Sequence, residues 1–268
     1  MSPLRVAFFS PLRPVASGIS DYSEELLPHL AGGAELTLFV DGYEPTNLLL
    51  RRQFAVHDFH DLPALHRDRP FDLFLYHIGN HVCHGYIYEL MQVYPGVVVL
   101  HDTILHHFLG QRLEEGGDLA DYLDNFPGEG PSLVRRRRAR TWSNVDHFIF
   151  PGIRRVVERS LGLIVHSETA RQAVLRAVPS ARVTVVRHHW GPQQSPYAGR
   201  PPEEIKARLG FAPETFLIVS PGIVTPSRRI PESLRCVAIL LGEFPHARFV
   251  VAGPDTPAVG VGELAPRM

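Results

Sequence analysis

Residues 8–30, "FFSPLRPVASGISDYSEELLPHL", carry the chain from an apolar strand through a loop containing Pro11, Pro14 and Gly18 into an amphipathic helix. A strand that feeds a helix in this way places free backbone N–H groups, and the positive end of the helix dipole, above the strand's carboxyl end. That placement points first to an anionic ligand. The strand half of the unit recurs as "LRVAFF" (4–9), "ELTLFV" (35–40), "FDLFLYH" (71–77), "GVVVL" (96–100), "LGLIV" (161–165), "RVTVV" (182–186), "FLIVS" (216–220) and "RFVVAG" (248–253). None of these runs alternates polar and apolar residues, so each reads as a strand buried on both faces, the pattern of a parallel sheet. The helix half recurs in "ISDYSEELLPHLA", "HGYIYELMQVY", "SETARQAVLRAV" and "PESLRCVAILLGEF", with apolar residues three and four apart. Repeated βα organisation predicts an α/β fold built on a doubly wound sheet.

Between the sixth and seventh runs lies "HHWGPQQSPYAGRPPEEIKARLGFAPET" (188–215), rich in Pro, Gly and Gln. It divides the chain into a Rossmann-like domain over 1–190, a linker over 191–213 with a short helix near 203–209, and a second Rossmann-like domain over 214–268. The second domain has room for one strand, one helix and one strand before the tail "PDTPAVGVGELAPRM" (254–268). A stable Rossmann-type domain needs more strands. The expectation is a chain cut short relative to a two-domain ancestor, whose incomplete second domain exposes apolar surface and invites self-association.

Composition narrows the partners. The 268 residues are 44% hydrophobic and 21% charged with a formal net charge of -1, so nothing global steers the chain toward nucleic acid. Cys83 and Cys236 belong to no CxxC pair, which suits a reducing, cytoplasmic setting. The start "MSPLRVAFFS" is too short for a signal peptide, and no apolar run approaches the ~20 residues of a spanning helix. Residues 104–160 read as mainly helical, broken at "EEGGD" and "FPGEGP", and contain the basic run "RRRRAR" (135–140). That run reads first as a solvated helix face or a stretch meeting nearby acids. Peripheral contact with an anionic membrane is the alternative, and nucleic acid is the weakest option for lack of interleaved aromatics.

In an open α/β sheet, ligands bind outside the carboxyl ends of the strands. The apolar runs are followed there by Ser10 and Gly18–Tyr22, by Asp41, by His77, Gly79, Asn80 and His81, by His101 and Asp102, by His166, Ser167 and Glu168, and by Arg187, His188 and His189. This edge is dressed for a polyhydroxylated or anionic ligand. The HxxH spacing of His81 and His84, with His101, Asp102, His106 and His107 nearby, raises a metal site, but no HExxH or CxxC supports one and none is expected. No GxSxG elbow is present. Asp41 sits where a dinucleotide's ribose-binding acid would, yet the first loop has one glycine where GxGxxG needs three.

Taken together, "SPLRPVASGISDYSEELLPHL", "HIGNHVCHGYIYEL", "GVVVLHDTILHHF", "LIVHSETARQAVL", "VTVVRHHW" and "VSPGIVTPSRRIPESLRCVAILLGEFPHARFVVAGPD" resemble the retaining glycosyltransferases of family four, whose GT-B architecture sets two Rossmann-like domains face to face. The resemblance implies transfer of a sugar from a nucleotide-diphosphate donor to an acceptor hydroxyl with retention, without cofactor or metal. It implies catalytic roles for His101 and Asp21, donor contacts from Gly18, Gly222, Arg228 and Arg229, and acceptor contacts from Tyr22, Asn80, His84 and Asp102. Arg228 stands where the family usually has lysine. In such a transfer, positive charge develops on the sugar ring and negative charge on the leaving phosphate, so basic groups aimed at the diphosphate lower the barrier. Two departures stand out: Ile223 replaces a common arginine, and the family's E-x7-E glutamates would lie beyond Met268, which predicts weak or no activity for this chain alone. The alternatives are a non-catalytic sugar- or acceptor-binding or partner-dependent fragment, or another GT-B enzyme such as a nucleotide-sugar epimerase.

Overall fold

All eight apolar runs are strands in a computed structural model of the chain, which describes residues 3–189, 197–225 and 228–253. The chain divides into two units, Met1–Gly191 and Pro192–Met268. In the first, the order is β1 (Leu4–Phe9), α1 (Gly18–Leu30), β2 (Ala34–Val40), α2 (Leu48–Gln53), β3 (Ala55–Asp58), α3 (Leu62–Asp68), β4 (Leu73–Ile78), α4 (Gly85–Val93) and β5 (Val97–Leu100). Five short helices follow, α5 (His106–Glu114), α6 (Leu119–Asn125), α7 (Gly130–Arg138), α8 (Asn144–Ile149) and α9 (Arg154–Arg159), before β6 (Gly162–Val165), α10 (Glu168–Ala177) and β7 (Val183–Val185).

The seven strands form one parallel sheet in the order β3-β2-β1-β4-β5-β6-β7. This is the Rossmann-like order. The chain winds outward from β1 to β3, then returns to pair β4 with β1, Phe9 opposite Tyr76. Loops leaving β1 and β4 therefore diverge, and the crevice between them is where such sheets bind ligands. Along β1 the two-residue period sends Ala7 and Phe9 into one apolar layer, with Phe39, Tyr76 and Ile78, and Val6 and Phe8 into the other, with Leu38 and Leu27 of α1. Both faces are covered, which is why the strand sequences do not alternate.

Strand β3 escaped the sequence reading. It is a four-residue edge strand with Ala55 exposed and the other three half-buried, so it carries no continuous apolar run. The helices α2 and α3 beside it are equally short, and α3 has a proline in its first turn.

The arginine run is divided by the helix it forms. On α7, Arg136 reaches Asp146 at 2.6 Å and Arg137 reaches Glu114 at 3.4 Å, while Arg135 and Arg138 are exposed. No helix among the described residues is long and apolar enough to cross a membrane.

In the second unit α11 (Pro202–Arg208) precedes β8 (Phe216–Pro221), α12 (Ile230–Leu240) and β9 (Ala247–Ala252), with β8 and β9 paired in parallel. Phe216, Val219, Ile239 and Phe244 are exposed there. The tail 254–268 lies outside the described residues.

Candidate functional site

A cavity of about 560 Å³ opens at the carboxyl rim of the first unit's sheet, lined by Ser17, Gly18, Ile19, Asn80, His81, His84, His101, Asp102, His166 and His188. It lies at the divergence of the β1 and β4 loops. Of the residues singled out in the sequence, Gly18, Asn80, His84, His101 and Asp102 are brought together here.

The floor is set by Gly79. A Cβ built there would collide with Ile19 Cδ1 and lie 3.1 Å from both Asp102 Oδ2 and His84 Nε2. A side chain here would push Ile19, Asp102 and His84 out of their present positions. Asp102 Oδ2 accepts the Asn80 N–H at 2.9 Å, and the Asn80 side-chain oxygen accepts the Phe108 N–H at 2.9 Å, in the first turn of α5. Asn80 thus ties the cavity to α5. Asn80→Ala is expected to cost about 1 kcal/mol, a drop of roughly 2–4 °C in Tm, through the lost cap; thermal unfolding measures it.

Beneath the cavity the histidines share a scaffold. Tyr22 is buried and touches the rings of His77, His101, His166, His188 and His189, with centroids 4.3 to 5.8 Å away. His77, fully buried against Phe8, places Nδ1 3.1 Å from His101 Nε2. His77 Nε2 has no partner among the described residues. The assignment that leaves a lone pair there, rather than an orphaned N–H, has His77 Nδ1–H donating to His101 Nε2. His101 then carries its own proton on Nδ1. His84 and His166 donate from Nδ1 to the carbonyls of His77 (3.1 Å) and Val186 (2.9 Å), which leaves each Nε2 as an acceptor.

Burial pushes His77 down to about 3, His84 to about 4 and His101 to about 2; neighbouring histidines add to the effect. At neutral pH these rings are uncharged. Among the described residues the lining contains no arginine or lysine, and Asp102 is its one carboxylate.

These groups bear on the anionic ligand expected at the α1 loop. Ser17 caps α1, its hydroxyl taking the Ile19 N–H at 3.2 Å and its carbonyl the Ser20 and Asp21 N–H groups, which leaves the Gly18 N–H as the one in this first turn with no partner among the described residues. With Asp102 facing the same space, the cavity offers alternating donors and acceptors, the pattern that sugar hydroxyls match.

Asp21 and Tyr22 do not line the cavity. One step along α1 separates them: Tyr22 turns inward under the histidines, and Asp21 turns out to accept from Arg13 Nε and Nη2 at 2.9 and 2.7 Å. Asp41 is not in the lining either. His106 is a core residue, bonded to the Phe150 carbonyl and to the Tyr122 hydroxyl (2.6 Å), and His81 Nδ1 accepts the Cys83 N–H. Among the described residues no three His, Cys, Asp or Glu side chains are grouped to hold a metal ion. Ile19, His81, His166 and His188 also line the cavity; the sequence puts them on the strand-end rim but gives none of them a donor or acceptor role.

Gly222, Arg228 and Arg229 lie in the second unit. Gly222 ends β8 at φ +110°, and the Arg228 guanidinium lies where its Cβ would be. Arg229 precedes α12 in the left-handed region and pairs with Glu232 at 2.7 Å.

No protein-family model matches the chain, and no curated protein matches its sequence. Among solved structures, the chain matches one described as the glycotransferase of kitacinnamycin at 18% identity and a TM-score of 0.48. The match covers 93% of this chain and 65% of that one, so the chain spans less than two thirds of that protein's length.

Proposed function

We propose that the chain is a glycosyltransferase of the retaining, nucleotide-sugar-dependent type, with its hydroxyl-binding cavity in the first unit and its diphosphate contact at Gly222, Arg228 and Arg229. The observation that carries this reading is that Gly18, His84, His101 and Asp102 line one cavity at the β1–β4 divergence, with His84 and His101 kept neutral by burial. Neutral donors and acceptors orient a sugar without binding its leaving group. In this reading His101, held by His77, donates to a sugar hydroxyl at the reacting centre. Arg228 and Arg229 take the charge that builds on the departing diphosphate, Arg229 with its charge already shared with Glu232. With retention, the acceptor hydroxyl enters from the side the diphosphate leaves.

Because no arginine or lysine among the described residues lines the cavity, the same geometry favours one rival, a sugar-binding unit without transfer. Calorimetry of the whole chain with UDP-, GDP- and ADP-sugars and with the corresponding free sugars separates the two. A nucleotide sugar should bind more tightly than its free sugar, and Arg228→Ala should remove roughly tenfold of that difference, the worth of one charge-assisted contact. Equal affinity for both would leave sugar binding alone, and no binding of either would end both readings. Anomeric NMR of any product tests retention.

A further inference from the structure

A second cavity, about 660 Å³, lies beside the first in the same unit. The two share loops. Thr103 of the second directly follows Asp102 of the first, and Thr169 of the second lies three residues beyond His166 of the first. Its wall is apolar, built from Ile104, Phe126, Phe148, Ile149, Phe150 and Ile153. Phe126 and Phe150 meet edge to face with ring centroids 6.5 Å apart. The backbone behind them is fixed: the Pro151 carbonyl accepts the Leu105 N–H at 2.7 Å, and Gly152, at φ +71°, leaves no room for a Cβ beside Leu109 and Phe126. Helix α8 buries Asp146 on Arg136 (2.6 Å) and the Ser143 N–H (2.8 Å), which turns Phe148 and Ile149 out, 71% and 60% exposed. Apolar side chains left uncovered at the rim of a cavity this size mark a binding surface.

We infer that this cavity holds the apolar body of the acceptor, an uncharged, ring-bearing alcohol or phenol whose hydroxyl is directed toward the first cavity; the inference rests on the proposed function. The charges of the lining balance, because Arg154 is paired with Glu158 at 2.8 Å and the remaining two, Arg176 and Glu129, are opposite in sign. A charged ligand would lose hydration here without an excess of opposite charge to replace it. The buried polar side chain of the wall, Asn125, is already committed to the Arg155 N–H, the Tyr88 hydroxyl and the Asp121 carbonyl. The hydroxyls of Thr103 and Thr169, by contrast, have no partner among the described residues, and both stand on the side of the first cavity. The lining thus runs from apolar to hydroxyl-bearing toward Asp102. Its three phenylalanines favour a flat ring system as the occupant.

Equilibrium dialysis of the whole chain against oestradiol, a neutral polycyclic diol, and against its sulfate monoester tests this without turnover. Oestradiol should bind, and the sulfate ester at least about tenfold more weakly. Ala173→Trp, which fills the cavity from α10, should lower oestradiol affinity at least about tenfold and leave nucleotide-sugar affinity unchanged. Phe148→Ser with Ile149→Ser should lower it roughly tenfold, because two apolar side chains no longer cover the ligand. As both are exposed, the melting temperature should hold. Thr103→Val should cost roughly fivefold, the worth of one neutral hydrogen bond. No oestradiol binding, equal binding of the sulfate ester, or full binding by the tryptophan and serine variants would each overturn the inference, and a nucleotide sugar that still binds would leave the proposed function standing. Oestradiol binding without any nucleotide-sugar binding would overturn the acceptor role together with the proposed function. A wild-type dimer that the serine variant dissolves would overturn it by showing a contact between copies.

Discussion

Lowering the pH from about 7.5 to about 5.5 is expected to cost the first unit about 4 kcal/mol of stability, a fall of roughly 8–16 °C in its melting temperature. Three histidines drive this: His77, His84 and His106 are essentially unexposed, and burial pushes them down to about 3, 4 and 3. Such rings favour the neutral form in the folded state. Above the ordinary histidine pKa of about 6.5, folded and unfolded chains are both neutral and the full stability is present. As the pH falls below that value the unfolded chain takes up protons that the folded chain refuses, so each ring loses about 1.4 kcal/mol per pH unit until its folded pKa is reached. The groups facing them do not reverse the sign. His77 and His84 meet one another, His81, His101 and His166; His106 meets His147 and Arg137, opposed by Asp146. Carboxylates held down by arginine partners, such as Glu35 beside Arg5 and Arg69, act only at lower pH. Urea titrations across this range measure the effect. A midpoint that stays constant from pH 7.5 to 5.5 would show that these histidines are protonated, or hydrated, in the folded state.

The parts of the fold legible from sequence were those whose physics is local and periodic. Strands β1, β2, β4 and β5 are apolar on both faces because helices cover both sides of the sheet, and that burial writes an unbroken run into the sequence. Strand β3 is four residues, Ala55–Asp58, none of them buried and two of them polar, and leaves no such run. The strand-end rule placed Gly18, Asn80, His81, His101, Asp102, His166 and His188 on one rim, and these line one cavity. It could not tell Asp21 from Tyr22, since helix phase alone decides which of two consecutive residues faces the histidines. Nor could it weigh charge: the strand ends read as suiting a polyhydroxylated or an anionic ligand alike, and only the fold shows that Asp102, after β5, lines the same cavity as Gly18. Periodicity gives α8 an apolar stripe but not its direction; the bonds of Asp146 to Ser143 and Arg136 turn that stripe out.

On the proposed function, His101→Ala lowers sugar transfer on the order of a hundredfold or more, and the difficulty is to separate that from damage to the fold. Removing the imidazole leaves His77 Nδ1, fully buried, without the partner that lies 3.1 Å away, which costs about 1–3 kcal/mol of stability by itself. A loss of activity with the single variant is therefore ambiguous. The pair His77→Phe with His101→Ala removes both ends of the bond, and the new ring would pack where His77 now lies against Phe8 at 4.7 Å between centroids. Deleting both polar partners is far cheaper than orphaning one, so the double variant should melt within a few degrees of the wild type. If His101 Nδ1–H meets the substrate, transfer by the double variant stays as low as in the single one. His77→Phe alone should be intermediate, because it frees His101 to rotate and to exchange its proton between ring nitrogens without removing the donor. Recovery of transfer alongside stability in the double variant would place His101 among the packing residues, and the hydroxyl-binding role would pass to His84 and Asp102, the remaining polar groups of the cavity floor.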